Sequence, residues 1–335
     1  LKSRVRKRRE GVVFSSLMTC YLFLGGTGAG ACFVASVLAK LSPRELRESA
    51  GAAQAYRRLL APSFAAAFVL LALSVLCLMA DLGRADRLLL LVTSPTFVHI
   101  TVGAYALLVT LAFSAALALL WRCARLGAPA RALRSVLEAV SLVTAGVVMG
   151  YTGLLLQAQA AVPLWASPWL PALFVLSSLS CGVAVTLATA QFTGVAQTFS
   201  RVSARMAAFD AILILLEVAV LTALLVMASQ GGALDGQSAL AAQASAETLT
   251  GGALSEVFWG VLVVAGLIVP FVFDAVVVLS QVPELTRFSV FDVLRTRLPV
   301  ISLVAAACVL AGGAALRFCI VEAGIHPIIS TLGVM

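Results

Sequence analysis

The chain has 335 residues, 61% of them hydrophobic and only 11% charged, with a mean hydropathy of +1.07 and a formal net charge of +8. Soluble domains carry about 25% charged residues because they need a polar skin; this chain cannot cover a water-facing surface, so its outside must meet lipid. The positive charge belongs to loops and to orientation in the bilayer, and no basic stripe interleaved with aromatics marks a nucleic-acid partner.

A basic tail over residues 1–11 comes first. A helix needs about 20 mostly apolar residues to cross the hydrocarbon core. Runs of that kind occupy Val12–Ala39, Leu59–Ala80, Phe97–Leu120, Val136–Leu156, Leu170–Gln191, Ala207–Met227, Val257–Leu279 and Pro299–Ile320. The first is too long for a signal-peptide core of roughly 7–15 residues and reads as a retained helix. The expected fold is an all-α integral membrane protein of eight transmembrane helices, spanning residues 12–322 and followed by a short tail over 323–335.

Loops one–two, three–four, five–six and seven–eight hold most of the lysines and arginines, among them Lys40, Arg44, Arg122, Arg131, Arg201, Arg205 and Arg297. The other loops hold only Arg84 and Arg87. The positive-inside rule then puts the first set in the cytoplasm and both termini outside. The basic tail argues the other way, and four loops outweigh it. The longest connection, about residues 228–256, is rich in Gly, Ala, Ser and Gln and reads as a loop. Trp165 and Trp169 in the fourth loop are placed as an interfacial aromatic belt.

The glycine run from Gly25 to Gly30 lies inside an apolar span, so it is not a nucleotide loop, which requires a preceding strand. Small residues at Gly26 and Gly30 allow close helix packing, or leave a shallow groove for a flat ring. The cysteines form no CxxC, and no iron–sulfur cluster is expected in this chain. His99 and His326 are the only histidines. They fall on the same side, so a bis-histidine haem is conceivable, though none is expected.

Ionisable groups inside spans are costly, so each needs a reason. Under the predicted topology Tyr21, Asp81, Arg84, His99, Tyr151, Gln157, Arg317, Glu322 and His326 gather toward the outer side. Glu138, Asp210, Glu217 and Asp274 lie at mid-depth or toward the cytoplasm. Asp210 and Glu217 are seven residues apart, on one helix face and about 10 Å apart along the axis. Asp274 follows Pro270 by one turn, and that proline frees the carbonyl of Gly266. Asp210, Glu217 and Asp274 are candidates for a proton path from the cytoplasm; the alternative for Asp210 and Glu138 is pairing with arginines near the helix ends.

Several pieces together resemble the NrfD/polysulfide-reductase membrane-subunit family, relatives of the dimethyl sulfoxide reductase anchor. They are Tyr21–Ala31, Asp81-Leu-Gly-Arg84, Thr93-Ser-Pro95, Tyr151–Leu156 and Leu173–Gly182. The resemblance is good over about residues 12–190 and rests beyond that on helix count, Arg317 and Gly324. It implies two four-helix bundles and a subunit without its own redox metal. Such a subunit exchanges electrons between menaquinone or ubiquinone and a partner iron–sulfur subunit carrying several 4Fe–4S clusters, usually with a molybdopterin catalytic subunit attached, in the cytoplasmic membrane of a prokaryote. By the same resemblance Tyr151 would hydrogen-bond a quinone oxygen, Tyr21 takes the place of a quinone-contacting histidine, and Asp81 with Arg84 matches the signature ending span two. After Thr93-Ser-Pro95 the chain departs from the family pattern with Phe97-Val-His-Ile-Thr101, so His99 is a head-group candidate on depth alone. Quinone-contacting residues are therefore expected at Tyr151, Tyr21, Gly26, Asp81 and His99. Partner docking is expected around Arg84, Arg87 and Trp165. Two other readings of the same spans are a secondary transporter using the intramembrane acids and a b-type cytochrome anchor.

Overall fold

A computed structural model of the chain describes residues 2–41, 50–82, 99–123, 127–159, 162–231, 236–280 and 289–332. Among these the structure is helical throughout. Helix α1 covers Lys2–Leu41, α2 Ala50–Leu82, α3 His99–Arg122, α4 Ala128–Gln157, α5 Trp169–Phe192 and α6 Ser200–Ser229. A shorter α7 runs over Gly236–Thr250. Helix α8 is wound as a π-helix over Val257–Ile268 and continues as an α-helix over Val269–Leu279, and α9 covers Ser289–Leu332. Eight of these helices are long and apolar enough to cross a membrane, and each coincides with an apolar run read from the sequence.

Helix α7 is the departure: it lies where the sequence reads as a loop. Its composition explains it. Ala, Gln and Leu are strong helix formers, and Ala242, Ser245, Ala246 and Leu249 recur at helical spacing to give one buried face. That face packs on α6 and α9. Turns between spans are set by glycine where the backbone must turn left-handed. Gly194 (φ 70°) ends α5 with its N–H bonded back to the Gln191 carbonyl, and Gly231 (φ 74°) does the same after α6.

Helices α1–α4 pack around one another, and α5, α6, α8 and α9 form a second ring. These are the two four-helix bundles that the family resemblance implies. They meet chiefly through α5, which lies against α1 and α4. Lipid tails are as apolar as leucine, so helices in a bilayer associate by close packing and hydrogen bonds rather than by hydrophobic exclusion. The glycines serve that packing. A Cβ on Gly30 would collide with the Ser178 carbonyl, and one on Gly182 with the Gly30 backbone, so α1 and α5 touch main chain to main chain. Gly266 of α8 and Gly312 of α9 make the same kind of contact in the second bundle. The carbonyl of Gly266, expected as an open polar notch below Pro270, instead faces Gly312: a Cβ there would come within 3.2 Å of it.

Gly30→Ala is expected to destabilise the chain by about 1–3 kcal/mol, the usual cost of overpacking, because the obstructing atoms are backbone and cannot swing away. An unchanged thermal unfolding midpoint in detergent would show that the two helices separate freely at this point.

One end of the membrane domain carries Lys40, Arg122, Arg134, Arg201 and Arg205 and is called the basic side below. Here Glu138 is 1% exposed and is held by Arg134 (3.6 Å), by Lys40 (3.8 Å) and by the indole N–H of Trp121 (3.1 Å). Its acid is structural, tying α1, α3 and α4 together.

Candidate functional site

Toward the end opposite the basic side, α1 and α4 bring Tyr21 and Tyr151 together. Both are buried, and their side chains lie close enough across the first bundle for the two phenols to interact. Two local features allow it. Ser74 of α2 donates to the Tyr21 carbonyl at 3.1 Å, fixing the height of α1 against α2. On α3, Gly103 has no side chain where the Tyr151 ring lies, and a Cβ there would strike the ring. The pair brings two phenolic O–H donors to one place, so a third oxygen set between them can accept from at least one.

The other residues predicted for this site are placed differently. Asp81 lies two turns beyond Ser74 on α2, about 10 Å further out along the helix. It keeps one buried carboxylate oxygen without a partner among the described residues. His99 is the first residue of α3, one turn before Gly103; its side chain lies outside the described residues, as does that of His326. Arg84 and Arg87 also lie outside them. Gly26 does not border an open groove. The space its side chain would fill is taken by the Ser178 hydroxyl and by the Arg317 guanidinium, 3.1 Å from a built Cβ. Trp165, expected at the partner-facing surface, is 5% exposed; its indole N–H donates to the Ile320 carbonyl at 2.8 Å and its ring covers Gly324. Trp169 is the exposed tryptophan of that loop.

Arg317 is the residue the sequence reading passed over as a site. It is fully buried between α1, α5 and α9. One guanidinium nitrogen donates to Ser177 Oγ (3.0 Å) and to the Gly313 carbonyl (2.7 Å), the other to Ser178 Oγ (2.9 Å), and Nε has no partner. Phe174 and Phe23 face the cation at 5.3 and 5.8 Å. Gly26 and Gly313 leave room for it from two sides. The available signal was a lone arginine inside a long apolar run, which has to be paid for by partners.

Those partners continue into a line of buried acids. Ser177, which receives the Arg317 bond, lies beside Glu217 of α6. Two turns toward the basic side on the same face of α6 lies Asp210, with Ser180 and Asp274 of α8 next to it. Two carboxyls set this close repel when both are ionised, and a proton between them relieves that. Asp210 has no arginine partner among the described residues, so the pairing that serves Glu138 does not extend to it. Asp210 and Asp274 each keep one buried oxygen without a partner, and both line a cavity of about 400 Å³. Its wall also carries Gln191, Gln197, Ser200, Ser203, Ser280 and Ser302, residues at the basic-side ends of α5, α6, α8 and α9.

Among the described residues no group of histidine, cysteine and acidic side chains could hold a metal ion. No match was found among curated proteins. The family model described as "Polysulphide reductase, NrfD" matches residues 4–328, nearly the whole chain. With eight spans in two bundles, the chain belongs to the NrfD family of membrane subunits of quinone-linked oxidoreductase complexes, which work with iron–sulfur and molybdopterin subunits.

Proposed function

We propose that this chain binds a quinone or quinol head group at the Tyr21–Tyr151 pair and passes its electrons to, or receives them from, an iron–sulfur partner docked on the adjacent outer loops. The observation that carries this reading is the buried pair of phenols, drawn from helices far apart in sequence and set in apolar surroundings. A bound quinol supplies two electrons and two protons on oxidation. The residues present fit such a group: a phenol O–H can hold a ring oxygen, and Asp81, two turns outward, has an oxygen without a partner among the described residues that can accept a proton. Menaquinone and ubiquinone satisfy this chemistry equally.

The partner is read as an iron–sulfur subunit with several 4Fe–4S clusters, with a molybdopterin subunit attached to it. The basic side is assigned to the cytoplasm of a prokaryotic cell by the positive-inside rule, which places the tyrosine pair near the outer face and both termini outside. In that orientation the cavity at Asp210 and Asp274 opens toward the cytoplasm. The Asp210–Asp274 pair, Glu217, Ser177 and Arg317 then form a partial proton path from that cavity toward the middle of the membrane.

The test is Tyr151→Phe in the assembled complex. Quinol-linked turnover is expected to fall about tenfold or more, as loss of a positioned donor does, while subunit composition stays unchanged. Turnover equal to that of the wild type with a menaquinol analogue would sink the assignment of Tyr151.

A further inference from the structure

On the basic side, away from the tyrosine pair, a groove of about 510 Å³ runs along the line where the two bundles meet. Val37 and Leu41 of α1 form one wall and Met206 and Phe209 of α6 the other, with the buried Val183 of α5 between them. Leu41 is 74% exposed and Phe209 45%, so the groove is open to whatever surrounds the protein. Along α1 its lining runs from Phe33 to Leu41, about 12 Å, which is nearly the depth of one leaflet of a bilayer whose core is about 30 Å thick.

Of the lining residues only Arg205 is charged. It is exposed, sits near the start of α6, and makes no ion pair among the described residues. Arg201, one turn closer to the helix start, is exposed as well but does not line the groove. An apolar slot one leaflet deep with a single unpaired guanidinium at its rim is complementary to a hydrocarbon chain that ends in an anion. Guanidinium binds phosphate with two parallel hydrogen bonds, and basic pockets between cytoplasmic helix ends attract anionic head groups.

We propose that this groove holds an acyl chain of an anionic glycerophospholipid whose phosphate is bound by Arg205. The lipid touches α1 and α2 of one bundle and α6 of the other, so it braces the line between them. A zwitterionic lipid carries its own ammonium beside the phosphate and has less use for Arg205. An isoprenoid quinone tail would fill the same walls but brings no anion.

The experiment uses the full chain, purified and reconstituted into phosphatidylcholine vesicles with or without phosphatidylglycerol, then extracted gently and examined by native mass spectrometry. The wild type is expected to retain phosphatidylglycerol in preference to phosphatidylcholine. Arg205→Gln is expected to cut that retention about fivefold, the effect of one basic residue at a membrane surface, while Arg201→Gln leaves it unchanged. Val37→Trp, which fills the slot and leaves Arg205 in place, is expected to lower retention too. Phosphatidylglycerol should also raise the unfolding midpoint of the wild type and not that of Arg205→Gln. The proposal is overturned if the two lipids are retained equally, if Arg201→Gln and Arg205→Gln have equal effects, or if quinone is retained there instead.

Discussion

Arg317→Met is expected to remove most of the folded chain from the membrane fraction, at a cost of about 3–5 kcal/mol, the usual range when one partner of a buried charged network is deleted. The substitution keeps the unbranched apolar stem of the side chain and removes the guanidinium. It strands the hydroxyls of Ser177 and Ser178, the Gly313 carbonyl and the carboxylate of Glu217, all in a region without bulk water. Arg317→Lys keeps the charge yet is expected to be only a partial rescue. A single ammonium lacks the planar fork that reaches two serines of α5 at once. The decisive measurement is a double-mutant cycle. If Glu217 is the countercharge, Glu217→Gln should recover part of the stability lost in Arg317→Met, since the stranded acid has been neutralised. Strictly additive losses in unfolding midpoint would mean that the two groups do not sense each other.

The consequence reaches function because Arg317 sits between two sites. Along α1 it lies against Gly26, five residues (about 7.5 Å of helix rise) from Tyr21. Through Ser177 it reaches Glu217 and the acids of the second bundle. Arg317 therefore touches both bundles, so rearrangement at the tyrosine pair has a physical route to the acid line. In this reading the guanidinium positions protonatable groups and does not itself exchange a proton.

How much of this could be read beforehand depends on the length scale of the signal. Apolar runs specify spans locally, and all eight of those read appear as membrane-length helices. Helix α7 was missed because loop composition and an alanine-rich amphipathic helix look alike when nothing says what covers the apolar face. Glu138 was half legible. Its partner Arg134 stands at i−4 on the same helix, whereas Lys40 and Trp121 arrive from other helices. Tyr21 and Tyr151 were each chosen by depth and resemblance, but their meeting depends on how α1 and α4 rotate, which hydropathy does not encode. The glycine run gave two physically equivalent readings, groove or contact, and the choice required knowing that Ser178 and Arg317 occupy the space. The same ignorance of helix rotation hid the meeting of Asp210 with Asp274, which stand on the consecutive sixth and seventh spans but on faces that hydropathy does not orient.

That meeting carries the second large prediction. Asp210→Asn is expected to reduce proton movement through the second bundle by at least about tenfold while leaving quinol-linked electron transfer in detergent within about twofold of the wild type. An asparagine keeps the size of the group and an oxygen that can accept from the neighbouring Ser180, but cannot hold or release a proton, so only a role in proton conduction is removed. The cavity beside it is large enough for several waters and is lined with amide and hydroxyl groups that can orient them. Asp274→Asn should behave alike, because it removes the other of the two adjacent carboxyls on that wall. Ser302→Ala, on the same wall but not a carboxyl, serves as the control. The measurement is quinol-driven acidification or alkalinisation in proteoliposomes of the assembled complex with a trapped pH indicator, set against turnover of the same preparation in detergent. Equal losses in both would make the pair part of the quinone chemistry or of the fold, and no loss in either would exclude the path. Only the split result separates a conducted proton from protons released by a quinol at the proposed Tyr21–Tyr151 site, which lies toward the opposite end of the membrane domain.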